Sequence, residues 1–172
     1  MTKARERKKM VFQDQEELQA YAEWVKGQMN GMADHIKSSD LFRDQVMGHA
    51  VWTLPHQLFI GKAWSKVDKT KSYWIISGEK VPTDHIDYSV AQTAREAAKH
   101  FTMKWQMQGA RLEKLGDGDA TGEPSDDVDW VKVANGLQMQ AEALYGLVEN
   151  EDAWKITEGP LVGPGPESES TT

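Results

Sequence analysis

The run Lys71-Ser72-Tyr73-Trp74-Ile75-Ile76-Ser77, closed by Gly78, is the part of the chain most plainly built to be a buried strand. Its aromatic and β-branched residues favour a pleated strand, and the bulky side chains fall at odd and even positions alike, so both faces of that strand call for cover. Residues 57–67 have the same character. Asp68-Lys69-Thr70 between the two runs supplies turn chemistry, and together they predict an antiparallel hairpin. Upstream, residues 40–55 read as a short helix and then a loop, because Pro55 pushes Leu54 out of the helical region. The pattern of residues 48–53 also allows a third strand.

Helices flank this ribbon. Over residues 13–38, Leu18, Tyr21, Ala22, Val25, Met29, Met32 and Ile36 recur at spacings of three and four, and Asp14, Glu16 and Glu17 stand where a helix start favours negative charge. Gly27 and Gly31 inside it suggest close packing of another backbone. A second helix is predicted over residues 88–115, with Val90, Ala94, Ala97, Phe101, Trp105 and Leu112 on one face and Gly116 as its cap. A third is predicted over residues 128–149 on Val131, Ala134, Leu137, Ala141, Leu144, Tyr145 and Val148, after which Trp154 packs back onto the core. The expected fold class is α+β, with three long amphipathic helices packed on a small antiparallel sheet built around a β-hairpin. Residues 1–12 read as a basic flexible arm, 13–157 as a single α+β domain and 158–172 as a disordered tail rich in Gly, Pro, Glu, Ser and Thr.

Composition narrows the chemistry. The chain of 172 residues has seven tryptophans and eight methionines, enough bulky apolar surface for one core, and no cysteine. Disulfides, thiolate metal sites and cysteine nucleophiles are thereby excluded, and any metal would need His, Asp or Glu. The net charge of −7 disfavours nucleic acid, whose phosphates attract Lys and Arg. No apolar run approaches the roughly 20 residues that cross a bilayer, and the amino terminus has no apolar signal region, so a cytoplasmic location is expected.

Among the polar residues, Thr83, Asp84, His85 and Asp87 gather just before the predicted second helix. Exposed amides at a helix start can hold an anion, and a histidine beside an aspartate can change charge near neutral pH. With Arg95 and His100 on the following helix, Asp84 and His85 form a candidate small-molecule or anion site. The bland alternative is that Thr83 or Asp84 merely caps the helix. Glu96 and His100 share a helix face at four-residue spacing, yet the sequence offers no obvious third ligand. Asp117, Asp119 and Gly122 imitate the start of a calcium loop, which then fails at Thr121 and Val128. His35, His49 and His56 show no metal-ligand spacing. No cofactor, metal site or catalytic motif is read from the chain.

The segments Tyr73-Trp74-Ile75-Ile76-Ser77-Gly78, Pro82-Thr83-Asp84-His85-Ile86, Ala94-Arg95-Glu96-Ala97 with His100-Phe101 and Trp105, and residues 137–145 with Trp154 resemble a family of small bacterial proteins classed as a domain of unknown function. The resemblance spans roughly residues 13–155. It implies a compact domain of bacterial origin and assigns no catalytic residue. The leading functional expectation is a non-catalytic protein-binding domain of the regulatory or inhibitor (immunity) type. It would meet a basic partner through an acidic surface of Asp117, Asp119, Glu123, Asp126 and Asp127.

Overall fold

A computed structural model describes residues 8–9, 12–116 and 129–157. The acidic residues Asp117, Asp119, Glu123, Asp126 and Asp127, the tail 158–172 and most of the basic arm lie outside them. In chain order the elements are β1 (Lys8–Lys9), α1 (Gln15–Ser38), β2 (Val46–Leu54), β3 (Leu58–Ser65), β4 (Ser72–Gly78), β5 (Asp84–Asp87), α2 (Ala94–Gly116), α3 (Trp130–Glu149) and β6 (Ile156–Thr157). Single 3-10 turns cover Tyr88–Val90 and Glu151–Lys155. No described helix is long and apolar enough to cross a membrane.

The described chain forms two compact units, one taking residues up to Ala97 and from Glu151 onward, the other Ala98–Asn150. The first holds a four-stranded antiparallel meander, β2-β3-β4-β5. This corrects the expectation of a sheet built around one hairpin. The run 40–55 is no helix and loop: its second half is the nine-residue edge strand β2. The helices are also not three matched rods, being 24, 23 and 20 residues long, and α3 with most of α2 belongs to the second unit. Pro55 does not end a helix. It sits second in a tight turn in which Gln57 N–H donates to the Leu54 carbonyl at 2.9 Å and His56 takes φ +62°, the arrangement of a type II turn joining β2 to β3. At the other end of β3, the Asp44 carboxylate accepts the Ser65 hydroxyl at 2.6 Å and the Val67 N–H at 3.3 Å.

Those bonds, the Ser65 hydroxyl first, hold the Asp44 carboxyl below the usual carboxylate range. A depressed folded value means that this contact stabilises above the unfolded value, near pH 4, and is lost as pH falls through the folded one. Ser65→Ala is therefore expected to move the Asp44 titration upward when followed by carboxyl NMR. An unchanged midpoint would contradict the assignment.

Both faces of β4 are covered, as its continuous apolar run demands. On one face Phe59, Ala63 and Ile75 meet Tyr21, Val25, Met32 and Ile36 of α1. On the other, Trp52, Ile60, Trp74 and Ile76 are buried. The Trp74 indole N–H donates to the carbonyls of Tyr88 and Ala91, both at 3.1 Å, and its ring stacks on Tyr88. Trp154 packs back as expected, stacked on Trp52 at 4.2 Å.

Three polar ties at seven-residue spacing fasten α1 across the sheet: Tyr21 to Thr53 of β2, Gln28 to Ser77 of β4 and His35 to His85 of β5. Seven residues is nearly two helical turns, so all three project from one side of the helix. Gly27 and Gly31 play no part in this packing. Added Cβ atoms there would meet nothing within 4 Å, contrary to the close approach expected. Replacing each by alanine is accordingly expected to stabilise the fold by about 1 kcal/mol in denaturant unfolding.

Gly78 ends β4 with φ +156°, and a Cβ there would lie 2.2 Å from the Gln57 carbonyl oxygen. The chain then returns as β5, paired with β4 so that Ile75 faces His85 and Tyr73 faces Asp87. This moves the start of α2 away from the Thr83–Asp87 cluster. Asp87 caps only the 3-10 turn, through Ser89 N–H at 2.9 Å. The cap of α2 is Thr93, whose hydroxyl accepts the Glu96 N–H at 3.1 Å while the Glu96 carboxylate accepts the Gln92 N–H at 2.7 Å.

In the second unit Ala134, Ala141, Leu144, Phe101 and Trp105 are buried. A Cβ on Gly109 would come 3.3 Å from the Ala134 carbonyl and 2.9 Å from Gln138 Cγ, so glycine lets α2 and α3 approach there. Gln138 also donates to the Glu113 carboxylate at 3.1 Å.

Candidate metal centre

The last turn of α1 places the first ligand. Helix α1 ends in a Schellman arrangement, with Leu41 N–H on the Ile36 carbonyl at 3.2 Å, Asp40 N–H on the Lys37 carbonyl at 3.1 Å, and Asp40 at φ +55°. Met32 and Ile36 are buried and Leu41 packs against the same core, so this terminus is fixed by apolar contacts before and after His35 in the chain. The His35 carbonyl accepts Ser39 N–H at 2.9 Å.

Strand β5 places the other two. His85 lies on the outermost strand of the meander, on the same face as Ile75 and α1, with its ring edge-on to Tyr73 at 5.7 Å. His35 Nε2 stands 2.9 Å from His85 Nδ1. Asp84 Oδ1 accepts the His85 backbone N–H at 2.8 Å and lies 3.9 Å from His85 Nδ1. One ligand atom from each of His35, Asp84 and His85 lies within 4.8 Å of the others.

Metal–nitrogen and metal–oxygen bonds of about 2.0–2.2 Å put neighbouring donors about 3 Å apart in an octahedral site and about 3.3 Å apart in a tetrahedral one. The observed separations bracket those values. Two imidazoles and one carboxylate are the donor set of many zinc and non-haem iron sites. The negative end of the α1 dipole, one turn from His35, favours a cation there. Only one of the two facing nitrogens can carry a hydrogen, because an N–H on each would collide, and an ion held by both nitrogens would require each ring to carry its hydrogen on the remote nitrogen.

The sequence-predicted ligand residues thus divide. Asp84 and His85 stand together, but on an edge strand and not at a helix amino terminus, which removes the anion-cradle argument for them. Arg95 sits in the first turn of α2, 4.0 Å from the Glu151 carboxylate. His100 is exposed on the part of α2 that belongs to the second unit. The residue the sequence reading missed is His35, fifty positions from its partner. Its signal was the recurrence of polar Tyr21, Gln28 and His35 along the buried side of α1, since buried polar groups need partners. His49 and His56 instead pack on Trp64 and Trp24, with ring centroids at 5.5 and 5.6 Å.

Residues 17–154 match the family described as Domain of unknown function (DUF4826). The chain belongs to this family. The DUF4826 match contains all three residues of the centre and the whole β2–β5 meander, and it bears out the resemblance to a domain of unknown function, without bearing on a bacterial origin. The DUF4826 description names no activity, ligand or partner. No curated protein and no solved structure matches the chain.

Proposed function

We propose that this domain binds a divalent transition-metal ion through His35 Nε2, His85 Nδ1 and the Asp84 carboxylate. The observation behind the reading is the approach of two histidines from separate elements to 2.9 Å, beside a carboxylate. It develops the ligand-binding alternative drawn from Asp84 and His85, and it replaces Arg95 and His100 in that role with His35. The rival reading, a protein-binding regulator with an acidic surface, has the net charge of −7 as its support.

The test is calorimetric titration of the full chain with Zn2+ and Co2+. One ion per chain is expected, and Mg2+, which prefers oxygen donors, is expected to compete poorly. Failure of both Zn2+ and Co2+ to bind would overturn the reading.

A further inference from the structure

Resting on that reading, we infer that Tyr73 is a positioning residue for the metal centre: its ring, backed by Phe42, sets the rotation of the His85 imidazole so that Nδ1 and not a ring carbon meets the ion. Sheet register brings the two rings together. Across the β4–β5 ladder His85 stands opposite Ile75 and Tyr73 opposite Asp87, so Tyr73 is the diagonal neighbour of His85 on the face that meets α1. Their centroids are 5.7 Å apart with the planes at 89°, an edge-to-face pair within the favoured range.

The need for such a contact follows from the ligand itself. Rotation of an imidazole about its outer side-chain bond is broad and roughly two-fold, and a half-turn exchanges Nδ1 for a carbon that cannot bind a metal. A backbone that places His85 correctly therefore leaves the donor atom undecided. On the α1 face, Ile75 lies across the ladder and is 0% exposed, but it has no flat surface against which a ring plane can register. Tyr73 supplies that surface.

The Tyr73 ring is itself backed. Phe42, 4% exposed, stacks on it with planes at 18° and centroids at 6.3 Å. Phe42 directly follows Leu41, whose N–H closes the end of α1, so the segment that fixes the turn bearing His35 also supports the ring that orients His85. Loss of groups that orient metal ligands through hydrogen bonds costs roughly 10–100-fold in affinity. A ring contact is weaker than such a bond, so a loss of about tenfold, the low end of that range, is expected here.

The test follows the full chain with Zn2+ by calorimetry and with Co2+ by its visible bands, which report the coordination shell. Tyr73→Leu is expected to bind Zn2+ about tenfold more weakly and to shift the Co2+ bands, whereas Tyr73→Phe, which keeps the ring, is expected to match the wild type in both. A merely structural role would lower the unfolding midpoint of Tyr73→Leu and leave the bands of its bound Co2+ unchanged. Phe42→Leu is expected to weaken Zn2+ binding several-fold.

Wild-type affinity and bands in Tyr73→Leu would overturn the positioning role and leave the metal site standing. An equal loss in Tyr73→Phe would do the same, because it would assign the effect to the hydroxyl and not to the ring. Absence of Zn2+ and Co2+ binding in the wild type would overturn both. Should Tyr73→Leu fail to fold, Phe42→Leu decides: a several-fold loss supports the positioning role, and wild-type affinity and bands overturn it.

Discussion

Zn2+ is expected to bind His85→Ala and His35→Ala at least about 100-fold more weakly than the wild type. Loss of residues that merely orient metal ligands costs 10–100-fold in affinity, and loss of one of three ligands belongs at or beyond the top of that range. The two variants test different elements. His85 is on β5 and His35 on the last turn of α1, so equal losses show that the ion bridges helix and strand. Circular dichroism and the unfolding midpoint serve as controls. The His35–His85 tie is one of three along α1, and its removal is expected to cost about 1 kcal/mol of stability, leaving both variants folded. His49→Ala, on β2, is expected to bind Zn2+ as the wild type does. Unaltered affinity in His35→Ala would place the ion elsewhere.

Trp74→Ala is expected to produce the largest loss of stability of any single core change, about 3–5 kcal/mol. The side chain is 1% exposed and stacks on Tyr88, and its N–H serves the Tyr88 and Ala91 carbonyls that carry the chain from β5 toward α2. Trp74→Phe separates the two contributions. It keeps most of the apolar volume and removes the shared donor, so a smaller loss of about 1–3 kcal/mol is expected. Chemical denaturation monitored by far-ultraviolet circular dichroism measures both. If Trp74→Phe were as damaging as Trp74→Ala, the carbonyls and not the packing would dominate.

Much of this was legible from periodicity. The apolar stripe of α1, the strand pair at β3 and β4 and the return of Trp154 all follow from one-dimensional pattern, because each buries a continuous face. Two errors share a cause. Pro55 reads as a helix stop but is the second residue of a tight turn, and the Thr83–Asp87 cluster reads as a helix start while the Thr93–Glu96 capping pair marks the true one. In both cases a local chain-breaking or capping signal belongs to a different neighbour, which makes a four-stranded meander look like a hairpin. The metal centre was half visible. Asp84 and His85 are adjacent, but nothing in linear spacing joins them to His35, since that meeting depends on how α1 crosses the sheet. The polar residues every seven positions along α1 were the available clue.

The most direct measurement is X-ray diffraction from crystals grown with Zn2+, collected on either side of the zinc absorption edge. The account predicts an anomalous peak about 2.0–2.2 Å from His35 Nε2, His85 Nδ1 and an Asp84 carboxylate oxygen. A peak bound by other residues, with the His35–His85 contact still at its direct hydrogen-bond distance, would contradict it.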